Sequence, residues 1–217
     1  MIVTAVIRKP RRKKVDVYVE GGLALTLGTE LAVERDIRPG REISLGEIGK
    51  LTYEEERRSA FEAALRLLSY RQRSEQELFR RLREKGFAKP PVDESIARLR
   101  ELGYVNDSSF ARFYTETQQS ARPRSQRLLT VELRRKGVEA SVAEDATVDV
   151  SDEEAAYDAA NRRLSGLRGL EYERFRERLG AFLTRRGFNY GVARRTLDRC
   201  WSEFEAAQAP SAEPAQQ

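Results

Sequence analysis

The sequence predicts a mainly α protein: three tandem three-helix repeats in an elongated array, preceded by a small β-rich N-terminal module. Three observations carry this expectation. An alternating apolar pattern is confined to the first 50 residues. From about Thr52 the apolar positions recur at helical spacing. One short string, Leu-x-x-basic-Gly-apolar, then returns at a nearly constant interval.

The β-rich module comes first. Ile2, Val3, Val6 and Ile7 favour strand, and Val15, Val17 and Val19 alternate with Asp16, Tyr18 and Glu20. Gly21-Gly22 follows, and then Leu23, Leu25 and Leu27 alternate with Ala24 and Thr26. Two period-2 runs around Gly-Gly predict a hairpin, because glycine tolerates the positive φ of a tight turn. A short helix over residues 30–35 and a turn at Arg38-Pro39-Gly40 are expected next. The module is too small for a large core, which leaves it either to lean on its neighbour or to move.

In the helical part, Phe61, Ala64, Leu65 and Leu68 share one face. Ser74 is placed to cap a second helix carrying Leu78, Phe79 and Leu82, and Lys85-Gly86-Phe87 is placed to stop it. Pro90-Pro91 open a third helix with Val92, Ile96 and Leu99 on one face. The unit returns twice, since the string at 82–87 corresponds to 133–138 and again to 183–188. Gly86, Gly137 and Gly187 lie 51 and then 50 residues apart, and Ser74 and Ser125 are also 51 apart. The expected division is 1–50, 54–104, 105–150 and 151–206, with a disordered tail at 207–217. The string AAQAPSAEPAQQ at 206–217 has no large apolar residue.

Composition narrows the chemistry. The 217 residues include 40 Lys and Arg against 35 Asp and Glu, a formal charge of +5, with no His and one Cys. Without imidazole there is no Ser-His-Asp or Cys-His pair and no His-ligated metal, and one Cys builds no internal disulfide or thiolate cluster. No apolar run approaches the ~20 residues of a membrane helix. The expectation is a soluble cytoplasmic protein with no cofactor, no metal, no membrane partner and no small-molecule substrate.

The net charge hides a pattern. Residues 8–14 hold six basic and no acidic residues, 71–87 hold six and three, and 121–138 hold six and one. Residues 139–158 then carry eight acidic and no basic residues, before 162–199 return to eleven basic and four acidic. The candidate partner- or DNA-binding residues are Arg71, Arg73, Arg80, Arg81 and Arg83, then Arg122, Arg124, Arg127, Arg134, Arg135 and Lys136, then Arg185 and Arg186. Arg122-Pro123-Arg124-Ser125-Gln126-Arg127 is the sharpest cluster. Arg122 and Arg124 are expected at a helix entrance, where the macrodipole disfavours cations, and this suggests an external anion.

Other patterns read as structural. Residues 54–56 and 152–154 are acidic triplets suited to helical first turns, not to metal binding. Gly21-Gly22 and residues 46–49 match no phosphate-binding loop. Cys200, at i+4 from Thr196 and beside Trp201 with Phe204 one turn on, reads as a packing residue. Tyr104, Phe110, Phe113, Tyr114, Tyr172, Phe175 and Phe182 fall largely at helical spacing and are assigned to the core.

Several strings resemble the RecX regulatory proteins of bacteria. Residues 68–74 with Lys85-Gly86-Phe87 resemble their first repeat, and residues 103–111 (GYVNDSSFA) resemble their G-Y-[IV]-[ND]-D-x-x-F-A signature. Arg122-Pro123-Arg124-Ser125 with residues 132–138 is similar to the second-repeat motif, and residues 183–188 to the third. The β-rich leader is similar to the extension many members carry, and the acidic stretch 139–158, poor in apolar anchors, fits less sharply. The resemblance covers about residues 54–206. It implies a non-catalytic protein that lodges on the RecA–single-stranded-DNA filament and inhibits ATP hydrolysis, strand exchange and RecA-assisted repressor cleavage. The alternative is a direct nucleic-acid-binding protein using its basic faces on single- or double-stranded DNA. Exchanging Arg122, Arg124 and Arg127 together for Glu is expected to spare the fold and weaken inhibition.

Overall fold

A computed structural model of the protein describes residues 1–208, which form two compact units, Met1–Val105 and a second that begins at Asn106. No described helix is long and apolar enough to cross a membrane.

The first unit opens with three antiparallel strands, β1 (Val3–Arg8), β2 (Lys14–Val19) and β3 (Gly22–Gly28), in the order β1-β2-β3. Glu20 and Gly21 join β2 to β3, both with positive φ (51° and 82°), as a two-residue hairpin turn requires. A slip in register between Val17 and Tyr18 separates the leucines of β3. Leu25 and Leu27 turn inward with Val15, Val17 and Val19, whereas Leu23 is exposed; Ile2 and Ile7 also face outward. The helix expected over 30–35 is α1 (Thr29–Glu34).

The helical period starts earlier than the sequence pattern indicates. Helix α2 (Leu45–Tyr70) runs through Gly46 and Gly49. Ser44 begins it, its Oγ accepting from the Glu47 N–H at 3.1 Å. Two glycines cost roughly 1 kcal/mol each against alanine, but the same turns carry Ile48 and Leu51 into the core of the sheet. The β module therefore leans on a helix that it shares with the first repeat.

Residues 54–56 lie in the middle of α2 and not in a first turn, and they diverge as consecutive helical residues must. Glu54 pairs with Arg35 at 3.0 Å, and Glu55 accepts from the Gly28 N–H at 2.6 Å while pairing with Lys14 at 3.2 Å. Glu56 accepts from the Ala88 N–H at 2.5 Å. Each acid thus satisfies a group on a different element. The triplet 152–154 does occupy a first turn, that of α8 (Asp152–Leu164).

The first repeat is completed by α3 (Glu75–Glu84) and α4 (Lys89–Glu101), packed with α2 around Ala63, Ala64, Leu78, Leu82, Val92, Ile96 and Leu99. The second unit contains α5 (Asp107–Ala121), α6 (Gln126–Arg135) and α7 (Ala140–Asp145), then α8, a 3-10 turn (Ser165–Leu167), α9 (Tyr172–Arg185) and α10 (Tyr190–Gln208). The acidic stretch 139–158 supplies α7, a helix of only six residues, and the core there is correspondingly small: Phe110, Ala111, Leu133, Val138 and Ala143. Residues 207 and 208, expected in the tail, belong to α10; the remainder of the expected tail lies outside the described residues.

The repeated string is a helix-ending device attached to a core anchor. Gly86, Gly137 and Gly187 take φ of 92°, 86° and 88°. The following N–H bonds back to the carbonyl of Leu82, Leu133 or Leu183, and each of these leucines is fully buried. Phe110 and Phe175 are core residues as expected, but Tyr104 and Phe113 are 61% and 49% exposed. Cys200 is buried in the last core with Phe175, and burial pushes its thiol up to about 11, which leaves it protonated and unreactive at neutral pH.

Candidate functional site

The basic residues occupy three kinds of place: two inter-helix turns, two helix ends, and one cleft. The turns are built alike. In the first repeat Arg71-Gln72-Arg73-Ser74 links α2 to α3; in the second Arg122-Pro123-Arg124-Ser125 links α5 to α6. Ser74 and Ser125 are fully buried, and their Oγ atoms accept from the N–H groups of Glu77 and Leu128, each at 3.1 Å. Both are the N-caps their spacing indicates.

The arginines of these turns have internal partners. Arg71 donates to both Glu77 oxygens at 3.0 and 3.1 Å, and Arg73 Nε donates to the Leu67 carbonyl at 3.1 Å. Arg124 is ion-paired with Glu132, which also accepts from the Tyr114 hydroxyl at 2.9 Å. Burial, reinforced by that carboxylate, pushes the Tyr114 phenol up to about 12. The expected external anion for Arg124 is therefore Glu132 of the same chain. The macrodipole argument fails because the turn is four residues long. Arg122 lies three residues before the Ser125 cap of α6 and instead caps the C-terminus of α5, where a cation is favoured.

The second turn is also the joint between the second and third repeats. Ser125 N–H donates to the Arg186 carbonyl at 3.0 Å, and Arg186 Nη1 donates back to the Pro123 carbonyl at 3.2 Å. Arg162 Nη1 closes the end of α5, donating to the Ser120 and Ala121 carbonyls at 2.7 and 3.0 Å. Gln126 N–H donates to Asp152 at 2.7 Å. Burial, together with Arg124, Arg122 and Arg162, pulls the Arg186 pKa below its ordinary value. Its guanidinium also lies 4.9 Å from the centre of the Phe182 ring.

At the helix ends, Arg81 pairs with Glu84 at 3.0 Å, Arg80 reaches the same carboxylate at 4.0 Å, and Arg83 Nη1 donates to the Phe87 carbonyl at 2.5 Å. Lys136 sits 5.1 Å above the Tyr114 ring. Arg122, Arg127, Arg134 and Arg135 are exposed, with no acidic side chain within ion-pair distance among the described residues. The structure thus divides the candidates. Arg71, Arg73, Arg124 and Arg186 are tied into the fold, whereas Arg122, Arg127, Arg134 and Arg135 face solvent.

Arg185 belongs to a third place, which counting charges along the chain did not resolve. It lines a cleft between α8, the 3-10 turn and α9 together with Arg163, Arg174 and Arg178. The signal is present in the sequence as the spacing 174, 178 and 185, which follows one stripe of a helix.

Comparison with known proteins agrees with this architecture. Family models described as the first, second and third three-helix domains of RecX match residues 60–99, 106–146 and 151–197. Among curated proteins, the regulatory protein RecX of Geobacillus thermodenitrificans is 33% identical over 80% of this chain and 65% of its own length. That of Chlorobium phaeobacteroides is 31% identical over 65% of this chain and 93% of its own length. A crystal structure of regulatory protein RecX superposes with a TM-score of 0.65 at 20% identity, covering 91% of this chain and 98% of the other. The RecX structure from Lactobacillus salivarius gives 0.57 at 23%, covering 70% and 99%. At those identities the structures speak to the fold. The class is that of regulatory proteins made of three consecutive three-helix domains. The chain belongs to the RecX family.

Proposed function

We propose that this protein is a non-catalytic regulator that binds the RecA–single-stranded-DNA filament and inhibits its ATPase, strand-exchange and co-protease activities. In this reading it acts in the cytoplasm as a modulator of the SOS response, DNA repair and homologous recombination. The observation that carries the reading is the ordered match of all three family domains along one chain. The chemistry is compatible with it. The exposed arginines of α6 offer a one-sign surface that steers encounter and fixes register, tasks that need no nucleophile or general base.

The test is a titration of RecA ATPase on single-stranded DNA at two salt concentrations. Substoichiometric protein is expected to suppress hydrolysis, and an unchanged rate over a wide concentration range would refute the reading. A second reading, direct contact with nucleic acid, has one specific support in the arginine-lined cleft of the third repeat.

A further inference from the structure

The eleven basic residues of 162–199 are sorted by face. On the side of α10, Arg194 pairs with Asp198 at 3.9 Å, Arg195 with Glu153 at 2.5 Å and Arg199 with Glu203 at 3.0 Å, while Arg176 of α9 pairs with Glu173 at 3.7 Å. On the side of α8, Arg163, Arg174, Arg178 and Arg185 have no acidic partner within ion-pair distance among the described residues. These four line one open cleft of about 400 Å³ in which Glu177 is the single carboxylate. Exposed cations need no partner in water, so exposure alone carries nothing. The informative feature is convergence: four like charges border one concavity, which concentrates positive potential there.

Geometry and lining restrict the ligand. Arg174, Arg178 and Arg185 follow one stripe of α9 over eleven residues, about 16 Å at 1.5 Å per residue, long enough to face several phosphates of a strand. Guanidinium forks match phosphate oxygens. The apolar lining offers no free socket: Leu167 is buried, and Phe182 lies under Arg186 at 4.9 Å and Arg163 at 6.0 Å. A protein partner would need such a socket for an anchoring side chain. A phosphate chain would not.

We propose that the cleft between α8 and α9 binds the phosphate backbone of single-stranded nucleic acid directly. This deepens the second, nucleic-acid reading and rests on it rather than on the recombinase reading; its test contains no RecA, so either can fail alone. The probe is a labelled single-stranded oligonucleotide, its anisotropy followed with the full chain across a salt series. Parent protein is compared with R174A/R178A and with R176A/R194A, which removes the same charge from paired arginines of the same repeat. The cleft variant is expected to bind at least tenfold more weakly. Its salt dependence should fall by about 1.4 in log K per log salt, roughly 0.7 for each phosphate of a single strand that is no longer neutralised. The control variant should stay within twofold of the parent. Equal weakening in the two variants, or none in the cleft variant, would overturn the site. Displacement of the oligonucleotide by poly-glutamate as readily as by unlabelled strand, or tighter binding of a duplex of the same length, would overturn the ligand assignment.

Discussion

Glycine 187 stands at a position whose two constraints come from different sources. Its φ of 88° is a local demand of the helix end, shared with Gly86 at 92°. Its second constraint is a close approach: a Cβ there would meet Ser125 Oγ at 2.5 Å and Leu128 Cβ at 2.6 Å, whereas one on Gly86 would meet nothing within 4 Å. Gly86→Ala should therefore cost about 1 kcal/mol, the backbone share alone. Gly187→Ala should cost clearly more, because the turn at Ser125 must move. Thermal melts of the two variants check this, and equal shifts in Tm would refute the close approach. Buried acids add a pH dependence. Cys200 and Tyr114 are raised to about 11 and about 12 from ordinary values of 9.0 and 10.0 because burial disfavours their anions. Their neutral forms support the fold fully below pH 9, and that support is lost as pH rises through 11 and 12. Urea unfolding should accordingly show stability falling above about pH 9, and Tyr114→Phe should reduce the steepness of the fall. At neutral pH, Cys200 should react with a thiol reagent only after unfolding.

Among the elements, α2 does the most joining. Its first turns close the sheet through Ile48 and Leu51, its middle acids satisfy Gly28 and Ala88, and its later turns supply Ala63 and Ala64 to the first repeat. Glu55→Ala would strip the Gly28 N–H of its acceptor and Lys14 of its carboxylate, costing on the order of 1–3 kcal/mol for the donor left without a partner. Hydrogen exchange in β3 should rise in that variant while exchange in α3 and α4 changes less; uniform protection as in the parent would contradict the assigned role. In the second unit, Ser125→Ala removes a buried N-cap and should cost roughly 1 kcal/mol, read as a lower urea midpoint.

For the whole molecule, the structure changes which substitutions can test binding. Arg124→Glu would face Glu132, so the exchange of Arg122, Arg124 and Arg127 together confounds binding with folding. Arg122, Arg127 and Arg134 are exposed and remain suitable. Their joint exchange for Glu should leave the Tm within a few degrees of the parent and raise the protein concentration needed for half-inhibition of RecA ATPase severalfold. Arg124→Glu alone should lower the Tm. If the exposed triple inhibits like the parent, α6 is not the contact surface.

Local periodicity and capping chemistry were sufficient to establish the hairpin, though its turn falls at Glu20-Gly21, one residue before the Gly21-Gly22 expected, together with the caps at Ser74 and Ser125, the leucine-glycine helix ends and the repeat interval of about 50 residues. These depend on neighbours within one or two turns, which is the range a sequence pattern encodes. The family too was legible from the same strings. The start of α2 was not, because two glycines weaken the local helical signal and distant burial against the sheet overrides it. The partners of the arginines were not legible either. Whether a guanidinium meets Glu132 eight residues on, a carbonyl more than sixty residues away as Arg186 does, or three other arginines around a cleft depends on helix packing. Charge counts along the chain determined that basic surfaces exist. The tertiary structure decided which charges are neutralised internally and which remain exposed, because ion pairing depends on separation in space.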